Sequence, residues 1–384
     1  MHTLYLHIGL PKTGTTSIQR FCENNREKLK TKGYLYPEFE YLYPDVANNR
    51  NAHFLVGVCR TEDGKRNLEL EKKLFQKGLE MIEKSFEECD KVIISDEAIW
   101  HKSIKHRKKL WNTLLEHSKK NKYQIKIIVY LRRQDELALS YVNQKIKSGK
   151  NRMQEWTWEY FIENSEMIRM EYDVHLDKIE EVFGKEALCV RIFEKGQFQG
   201  EEGNLYSDFL DIFGLDMKDY VVEKEYSNTS LSYNGQEIKR IVNEVEAFDE
   251  ENRKFIRNMA LKSLGVMVRK DNYSYLSMEE RNLFMEKYEA GNQYVAKKYF
   301  GRDNGKLFSD INNDKEKWTP HNPHMQEDIV RFFAEIVLVQ QKAIRQLREE
   351  QRQMRQALEG LQENRNRTFL NGIKQFYHAR KKND

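Results

Sequence analysis

The chain has 384 residues, of which 39% are hydrophobic and 12% aromatic, so it is long enough for one large or two smaller globular domains. Its 65 basic and 61 acidic residues leave a net charge of only +4 and are interspersed along the chain. This balance does not favour a nucleic-acid-binding protein, because phosphate partners call for a concentrated basic surface.

The first predicted elements are a strand, a tight loop and a helix. An apolar run over residues 4–8 meets a glycine and proline break, and a helical apolar pattern follows. Gly9 and Gly14 have the spacing of a phosphate-binding P-loop, but Thr15 replaces the usual lysine and Lys12 lies inside the loop instead. Hydroxyl residues and free backbone N–H groups at the helix start predict an anion site.

This loop also carries a family resemblance. The stretch PKTGTTS, directly after the first strand, resembles the 5′-phosphosulfate loop of sulfotransferases that use 3′-phosphoadenylyl sulfate (PAPS). The resemblance implies that Lys12 contacts the bridging oxygen of the leaving group. It also implies that the 5′-phosphosulfate is bound by Lys12, Thr13, Gly14, Thr15, Thr16 and Ser17.

An irregular segment rich in aromatic residues and asparagine follows the first helix. Residues 33–37 are predicted as a short strand closed by proline, and the segment then continues to about residue 60. Within it, Asn51, Ala52 and His53 resemble the Asn-His that follows the second strand in many bacterial sulfotransferases. The resemblance makes His53 a candidate catalytic residue, in a long loop of the kind that often carries function. A surface histidine, or one whose hydrogen bonds are satisfied structurally, is the alternative.

A predicted helix over about residues 66–88 leads to a buried parallel strand that ends in two carboxylates, Asp96 and Glu97. Ligands bind at the carboxyl ends of parallel strands, so both side chains are expected near the Lys12 loop. Ordinary strand-end or helix-capping acids are one alternative. A Walker B strand serving magnesium is another, although the missing Gly-Lys-Ser/Thr sequence argues against it.

A further buried strand over residues 125–131 ends at Arg132, and a helix begins near Gln134. Arg132 and Ser140 are eight residues apart, so both can reach one small anion from a strand end and the second helical turn. The spacing matches the 3′-phosphate motif of PAPS sulfotransferases. Arg133 and Gln134 stand where that family often has Asp-Pro, and a structural ion pair is the alternative.

Later elements carry fewer motifs. A strand is expected over residues 188–193, and residues 216–325 are predicted as a helical region on the acceptor side. No metal site is proposed. Cys22, Cys59, Cys89 and Cys189 lack a CxxC spacing, which is typical of reduced thiols in a cytosolic protein.

The C-terminal residues 326–384 are predicted to form a long helix and a basic tail. Ten residues occupy alternating a and d positions of a heptad repeat, namely Val330, Phe333, Val337, Gln340, Ile344, Leu347, Gln351, Met354, Leu358 and Leu361. The pattern indicates a coiled coil that would join two copies of the chain, and a lone helix packed on the domain is the alternative. The tail over residues 369–382 suits weak contact with an anionic membrane surface, or a solvated terminus.

The first apolar segment is short and enters the loop directly, so neither a signal peptide nor a transmembrane segment is expected. Golgi-resident relatives in animals carry a membrane anchor before this loop. The resemblance therefore implies a bacterial-type, cytoplasmic enzyme.

Together these features predict an α/β protein with a P-loop-type parallel sheet flanked by helices. The catalytic domain is expected over residues 1–325, with the PAPS site within residues 1–215, and a helical or coiled-coil extension over residues 326–384. The resemblance implies sulfuryl transfer from PAPS to a hydroxyl of a carbohydrate acceptor, without a metal. That acceptor would be a polysaccharide, an oligosaccharide or a glycolipid, and nucleic acid is not an expected partner.

This mechanism needs a group that stabilises the charge on the leaving phosphate and a base for the acceptor hydroxyl. Lys12 is the candidate for the first role. His53 and Glu97 are both candidates for the base. A histidine ordinarily titrates near neutral pH, whereas a carboxylate needs burial to do so. The sequence leaves the choice open.

Other classes of function also stay open. A P-loop kinase or ATPase would use ATP and magnesium, and a non-catalytic coiled-coil scaffold would use neither nucleotide. Aryl or steroid acceptors would call for a closed apolar pocket, which this polar chain does not favour.

Overall fold

The computed structural model describes residues 1–102, 104–148, 157–165, 168–222, 231–245, 250–266, 273–311 and 315–380. The chain divides into two compact units. The first comprises Met1–Lys145, Met153–Ser230 and Ser274–Lys317, and the second comprises Ile146–Arg152, Leu231–Tyr273 and Trp318–Asp384. The functional division predicted after residue 325 stays a prediction.

The first unit is built on a parallel sheet of five strands in the order β2-β3-β1-β4-β5. These strands are β1 (Thr3–His7), β2 (Tyr34–Leu35), β3 (Lys91–Ser95), β4 (Gln124–Leu131) and β5 (Leu188–Ile192). The central strand β1 pairs with β3 and β4, and His7 is in register with Ser95 and Ile128. The carboxyl ends of the three strands therefore meet at one edge of the sheet.

The helices are, in chain order, α1 (Thr15–Asn24), α2 (Arg26–Thr31), α3 (Leu68–Glu88), α4 (Ala98–His101), α5 (Ile104–Lys120), α6 (Gln134–Ser148), α7 (Trp158–Ser165), α8 (Tyr172–Phe183), α9 (Leu205–Asp211), α10 (Tyr233–Glu244), α11 (Glu250–Val266), α12 (Met278–Glu286), α13 (Glu289–Phe300) and α14 (Met325–Arg380). Short strands β6 (Tyr273–Ser274) and β7 (Glu316–Lys317) and the 3-10 turns His53–Leu55, Lys185–Ala187 and Met217–Asp219 complete the described elements. None of the described helices is both long enough and apolar enough to cross a membrane.

Both faces of the sheet are buried. On one face, Ile93 of β3 packs in a cluster with Ile18 of α1 and Phe209 of α9. Its neighbours Val92 and Ile94 point to the opposite face, because side chains alternate along a strand, and both are fully buried. A strand covered on both sides needs an unbroken apolar run, which explains the sequence of β3. The predicted α/β fold with a parallel sheet flanked by helices is confirmed.

The second unit is helical. Helices α10 and α11 pack with the first turns of α14 around a small apolar cluster that includes Ile238, Leu264 and Phe332. Helix α14 then continues as one element of 56 residues. The long C-terminal helix is thus present, and the coiled coil stays a prediction. Residues 381 and 382 of the predicted tail lie outside the described residues.

Candidate functional site

The loop between β1 and α1 lies at the carboxyl edge of the central strand. Gly9, Lys12 and Gly14 have φ values of +53°, +69° and +76°. Positive φ is easy for glycine, so the two glycines allow the chain to turn sharply into α1. No side chain caps α1, which leaves its first N–H groups uncapped. The buried hydroxyl of Thr15 also has no hydrogen-bond partner among the described residues, so the loop presents donors suited to an anion.

A side chain at Gly14 would collide with its surroundings. An added Cβ would lie 2.3 Å from Cδ2 of Leu205 and 3.1 Å from Cε2 of Phe193. Gly33 has a similar φ of +82°, but nothing lies within 4 Å of the equivalent position. Gly33 therefore provides a matched control for backbone strain alone.

We expect Gly14→Ala to destabilise the protein more than Gly33→Ala does. Both substitutions force an L-residue into the left-handed region, which costs roughly 1–2 kcal/mol. Only Gly14→Ala adds a steric clash, worth about 1–3 kcal/mol more in free energy of unfolding. Denaturant titration measures the difference. Equal losses in the two variants would mean that the loop relaxes around the added methyl group.

Hydrogen bonds of Lys12 and Arg132 join the loop to the end of β4 and to α6. Arg132, directly after β4, donates from Nη1 to the backbone carbonyl oxygen of Lys12 at 2.8 Å. Lys12 in turn donates from Nζ to Oε1 of Gln144 on α6 at 3.3 Å. The residues predicted for the 5′ and 3′ groups of a nucleotide thus lie side by side at two neighbouring strand ends.

Arg132 is held by contacts on several sides, and its Nε donor stays unused. Its guanidinium carbon lies 5.5 Å from the centre of the Phe193 ring, and its Nη2 lies 3.6 Å from Oε2 of Glu136. The buried Nε has no hydrogen-bond partner in the described part of the chain. Ser140 lies one turn before Gln144, so it shares the helix face that meets Lys12. Within the described ranges, no hydrogen bond joins its hydroxyl to Arg132.

His53 and Asp96 form a pair at the carboxyl end of β3. Asp96 is fully buried, and its Oδ2 lies 2.8 Å from Nδ1 of His53. Arg50 binds both oxygens of the same carboxylate, with Nε 3.0 Å from Oδ2 and Nη2 2.8 Å from Oδ1. The backbone N–H of Ala98 also donates to Oδ1, at 2.7 Å. Burial raises the pKa of Asp96, but the hydrogen bonds from His53 and Arg50 outweigh it and hold that pKa below its ordinary value.

The Asp96 contact fixes which nitrogen of His53 can act as an acceptor. Nδ1 of His53 faces both the Asp96 carboxylate, at 2.8 Å, and the Nη2 donor of Arg50, at 3.3 Å. An ionised carboxylate only accepts hydrogen bonds, so the shorter contact favours a proton on Nδ1, which leaves the lone pair of the neutral imidazole on Nε2. Nε2 makes no hydrogen bond with the described residues. The ring of Tyr43 packs edge-on at 4.7 Å between centroids and limits rotation of the imidazole. The contacts therefore hold the ring and leave Nε2 as the nitrogen that can accept a hydrogen bond.

Glu97 lies against the loop. A Cβ built on Gly9 would be 3.0 Å from Cβ of Glu97 and 2.8 Å from Oγ1 of Thr15. The Glu97 carboxylate is 3.4 Å from Nη1 of Arg50, and Nε2 of Gln19 donates to it at 3.4 Å. Burial raises the pKa of Glu97, and the nearby Arg50 offsets this only in part. Arg50 is thus shared between the two carboxylates and links the loop to His53.

Sequence reasoning missed Arg50. The residue lies in the irregular segment, and its position is set by the neighbouring Asn51. The Asn51 amide donates to the carbonyl oxygens of Pro37 and Ile93 at 2.9 and 3.2 Å and accepts from the N–H of Ser95 at 2.8 Å. This buried amide fastens the segment to the end of β3. The sequence feature that could have identified Arg50 is its position three residues before the candidate histidine.

Comparison with known proteins assigns no function to this site. No family model matches the chain. An uncharacterized protein from Archaeoglobus fulgidus is 29% identical over 224 residues, which cover 57% of this chain and 56% of that protein. The chain therefore spans about half the length of the curated relative that it matches.

Proposed function

We propose that this chain transfers the sulfuryl group of PAPS to a hydroxyl of a carbohydrate acceptor. The observation that supports the proposal most is the hydrogen bond from Arg132 to the carbonyl oxygen of Lys12, at 2.8 Å. It joins two candidate anion sites at neighbouring strand ends. A nucleotide with separate 5′ and 3′ groups needs two such sites, whereas a simple nucleoside triphosphate needs one.

The residues present fit such a nucleotide. On the 5′ side, Lys12, the Thr15 hydroxyl and the first N–H groups of α1 would hold the phosphosulfate. The Thr13 hydroxyl instead braces the loop, because it donates to the carbonyl oxygen of Leu10 at 2.5 Å. On the 3′ side, the unused Nε of Arg132 and the hydroxyl of Ser140 would receive a phosphate.

In the proposed reaction, the acceptor oxygen forms a bond to sulfur while the bond from sulfur to the bridging phosphate oxygen breaks. The electron pair of the broken bond stays on the 5′-phosphate, where Lys12 stabilises the developing charge. The acceptor proton moves to a base, and we assign that role to Nε2 of His53. Asp96 is a positioning residue that orients the ring and stabilises the imidazolium formed.

The contacts of Asp96 weigh against a magnesium-dependent kinase or ATPase. Both oxygens of this buried carboxylate already accept hydrogen bonds, from Arg50, His53 and the N–H of Ala98. A Walker B carboxylate must instead face the metal ion or its water. Glu97 is likewise engaged by Arg50.

Calorimetric titration with adenosine 3′,5′-bisphosphate tests the proposal. The wild-type protein is expected to bind this nucleotide more tightly than it binds ATP with magnesium. Arg132→Ala should weaken binding about ten- to a hundredfold, because a charge-assisted contact is worth about 1.5–3 kcal/mol.

Arg133→Ala provides the control for this titration, since it removes the same charge one residue away. The Arg133 side chain is directed to Asp135 and to the carbonyl oxygen of Ser309, at 3.0 and 3.2 Å. We expect its affinity for the bisphosphate to stay close to that of the wild type. Unchanged affinity in Arg132→Ala would place the 3′ site elsewhere. Binding of ATP with magnesium but not of the bisphosphate would favour a kinase.

A further inference from the structure

Helix α14 carries an exposed apolar stripe. In the heptad register given above, the a and d residues Val337, Leu347, Met354, Leu358 and Leu361 are 59–66% exposed. From Val337 to Leu361 they extend along about 36 Å of uninterrupted helix. Exposed leucines are common singly, but a regular row of this length is typical of a surface that is covered by a partner.

The stripe lies on a different face of α14 from the face that packs in the apolar cluster of the helical unit. Near the start of the helix, Met325 and Phe332 are buried, and Ile329 and Ile336 pack against the same cluster. These residues occupy the c and g positions of the heptad. The a and d positions lie on a different face of the helix and are left out of this core.

An uncovered helix of this kind is poorly stable. Helices that lack tertiary contacts are marginal in water even when their sequence favours helix formation. Covering each large apolar side chain is worth roughly 1.5–3 kcal/mol. The stripe therefore needs an occupant, and its spacing of 3.5 residues is the spacing at which two helices pack along a common seam.

We propose that the occupant is α14 of a second copy of this chain, in a parallel, in-register coiled coil. The charges beside the seam support this choice. Glu350 is at a g position and Arg355 is at the e position of the next heptad, so each helix would pair its Glu350 with Arg355 of the other. An antiparallel arrangement would place e positions opposite e positions, where Arg348 and Arg355 repel one another.

Two glutamines in the seam specify the register. Gln340 and Gln351 would each meet their own counterpart in a parallel, in-register pair, where amide groups can hydrogen-bond to each other. A shift of one heptad would place Gln351 opposite Ile344 or Leu358 and bury an amide without a partner. The coiled coil therefore has one favoured alignment.

Sedimentation equilibrium of the full chain tests the dimer. The wild-type protein is expected at twice the chain mass of 46.1 kDa. Leu358→Glu should weaken the dimer by roughly a hundredfold or more, because it puts two like charges into the seam. Gln356→Glu adds the same charge at the outer f position and should stay dimeric. A monomeric wild-type protein, or equal masses for the two variants, would overturn the proposal.

Disulfide trapping tests the orientation. Gln351→Cys should give a covalent dimer under mild oxidation, whereas Gln356→Cys, on the outer face, should not. Cys22, Cys59 and Cys89 are buried, and both variants also carry Cys189→Ser, because that thiol is partly exposed. Failure to cross-link at position 351, or equal cross-linking at both positions, would overturn the parallel arrangement.

A charge reversal adds an independent check. Glu350→Arg and Arg355→Glu should each weaken the dimer, and the two together should restore it. A double variant that is weaker than both single variants would contradict the pairing.

Binding to lipid vesicles tests the other occupant. If Leu358→Glu abolished binding to anionic lipid vesicles while the wild-type protein stayed monomeric, a membrane would be the occupant and the proposal would be wrong. The monomeric variant should still bind adenosine 3′,5′-bisphosphate, so this test is independent of the proposed function.

Discussion

Lys12→Ala is expected to lower the rate of sulfuryl transfer by roughly a hundredfold or more. The lysine would stabilise charge that develops on the leaving phosphate, so its removal should lower kcat more than it weakens binding of adenosine 3′,5′-bisphosphate. The fold should persist. Lys12 already has a positive φ of +69°, and alanine meets the same backbone strain. Initial rates at saturating PAPS and denaturant titration measure the two quantities.

Lys122→Ala is the matched control for this substitution. Lys122 also has a positive φ, of +57°, and lies just before β4, whose amino end is remote from the carboxyl edge that carries the loop. Its replacement should leave turnover unchanged. Turnover like that of the wild type in Lys12→Ala would contradict the role of this loop. A loss of nucleotide affinity with an unchanged rate at saturating PAPS would instead mean that Lys12 contributes only to binding and not to the chemical step.

Much of the fold could be predicted because each buried strand is a short apolar run bounded by polar residues. The helix predicted over about residues 66–88 is observed as Leu68–Glu88, and the strand predicted over residues 188–193 ends at Ile192. The order of the strands was not predicted. Runs such as those of β3 and β4 have nearly the same composition, and composition does not record which strand lies beside which.

The positions of Arg132 and Asp96 at one edge follow from a rule of parallel sheets, since each residue directly follows a strand. The contacts that these side chains make do not follow from that rule. Alternation of side chains ends with the strand, so the sequence could not show that Asp96 turns to His53 while Glu97 faces the loop. Arg50 was missed because no periodic pattern covers its segment, and its partner Asp96 is 46 residues away.

The C-terminal helix could also be predicted only in part from the sequence. The heptad pattern is regular enough to be read from the sequence, and the helix is present. The second apolar row, with Phe332 and Ile336, was not recognised, although this row packs in the helical unit. Two overlapping stripes on one helix are hard to separate by periodicity alone, because both repeat every seven residues.

His53→Asn is expected to lower the rate about a hundred- to ten-thousandfold, with nucleotide affinity kept. Asparagine removes the basic nitrogen, but its amide can still donate to the Asp96 carboxylate, so the buried acid keeps a partner. Glu97→Gln should cost much less, because the Glu97 carboxylate is engaged by Arg50 and Gln19 at 3.4 Å each.

The dependence of rate on pH separates the two candidate bases. A general base must be unprotonated, so the wild-type rate should fall as the pH is lowered, and His53→Asn should lose this acid limb. Burial raises the pKa of Glu97, so a base at that position would also give an acid limb. If His53→Asn keeps that limb and Glu97→Gln removes it, the base is Glu97, and the His53–Asp96 pair serves only to hold the loop. If both variants keep most of their activity, the acceptor hydroxyl does not bind at this edge of the sheet.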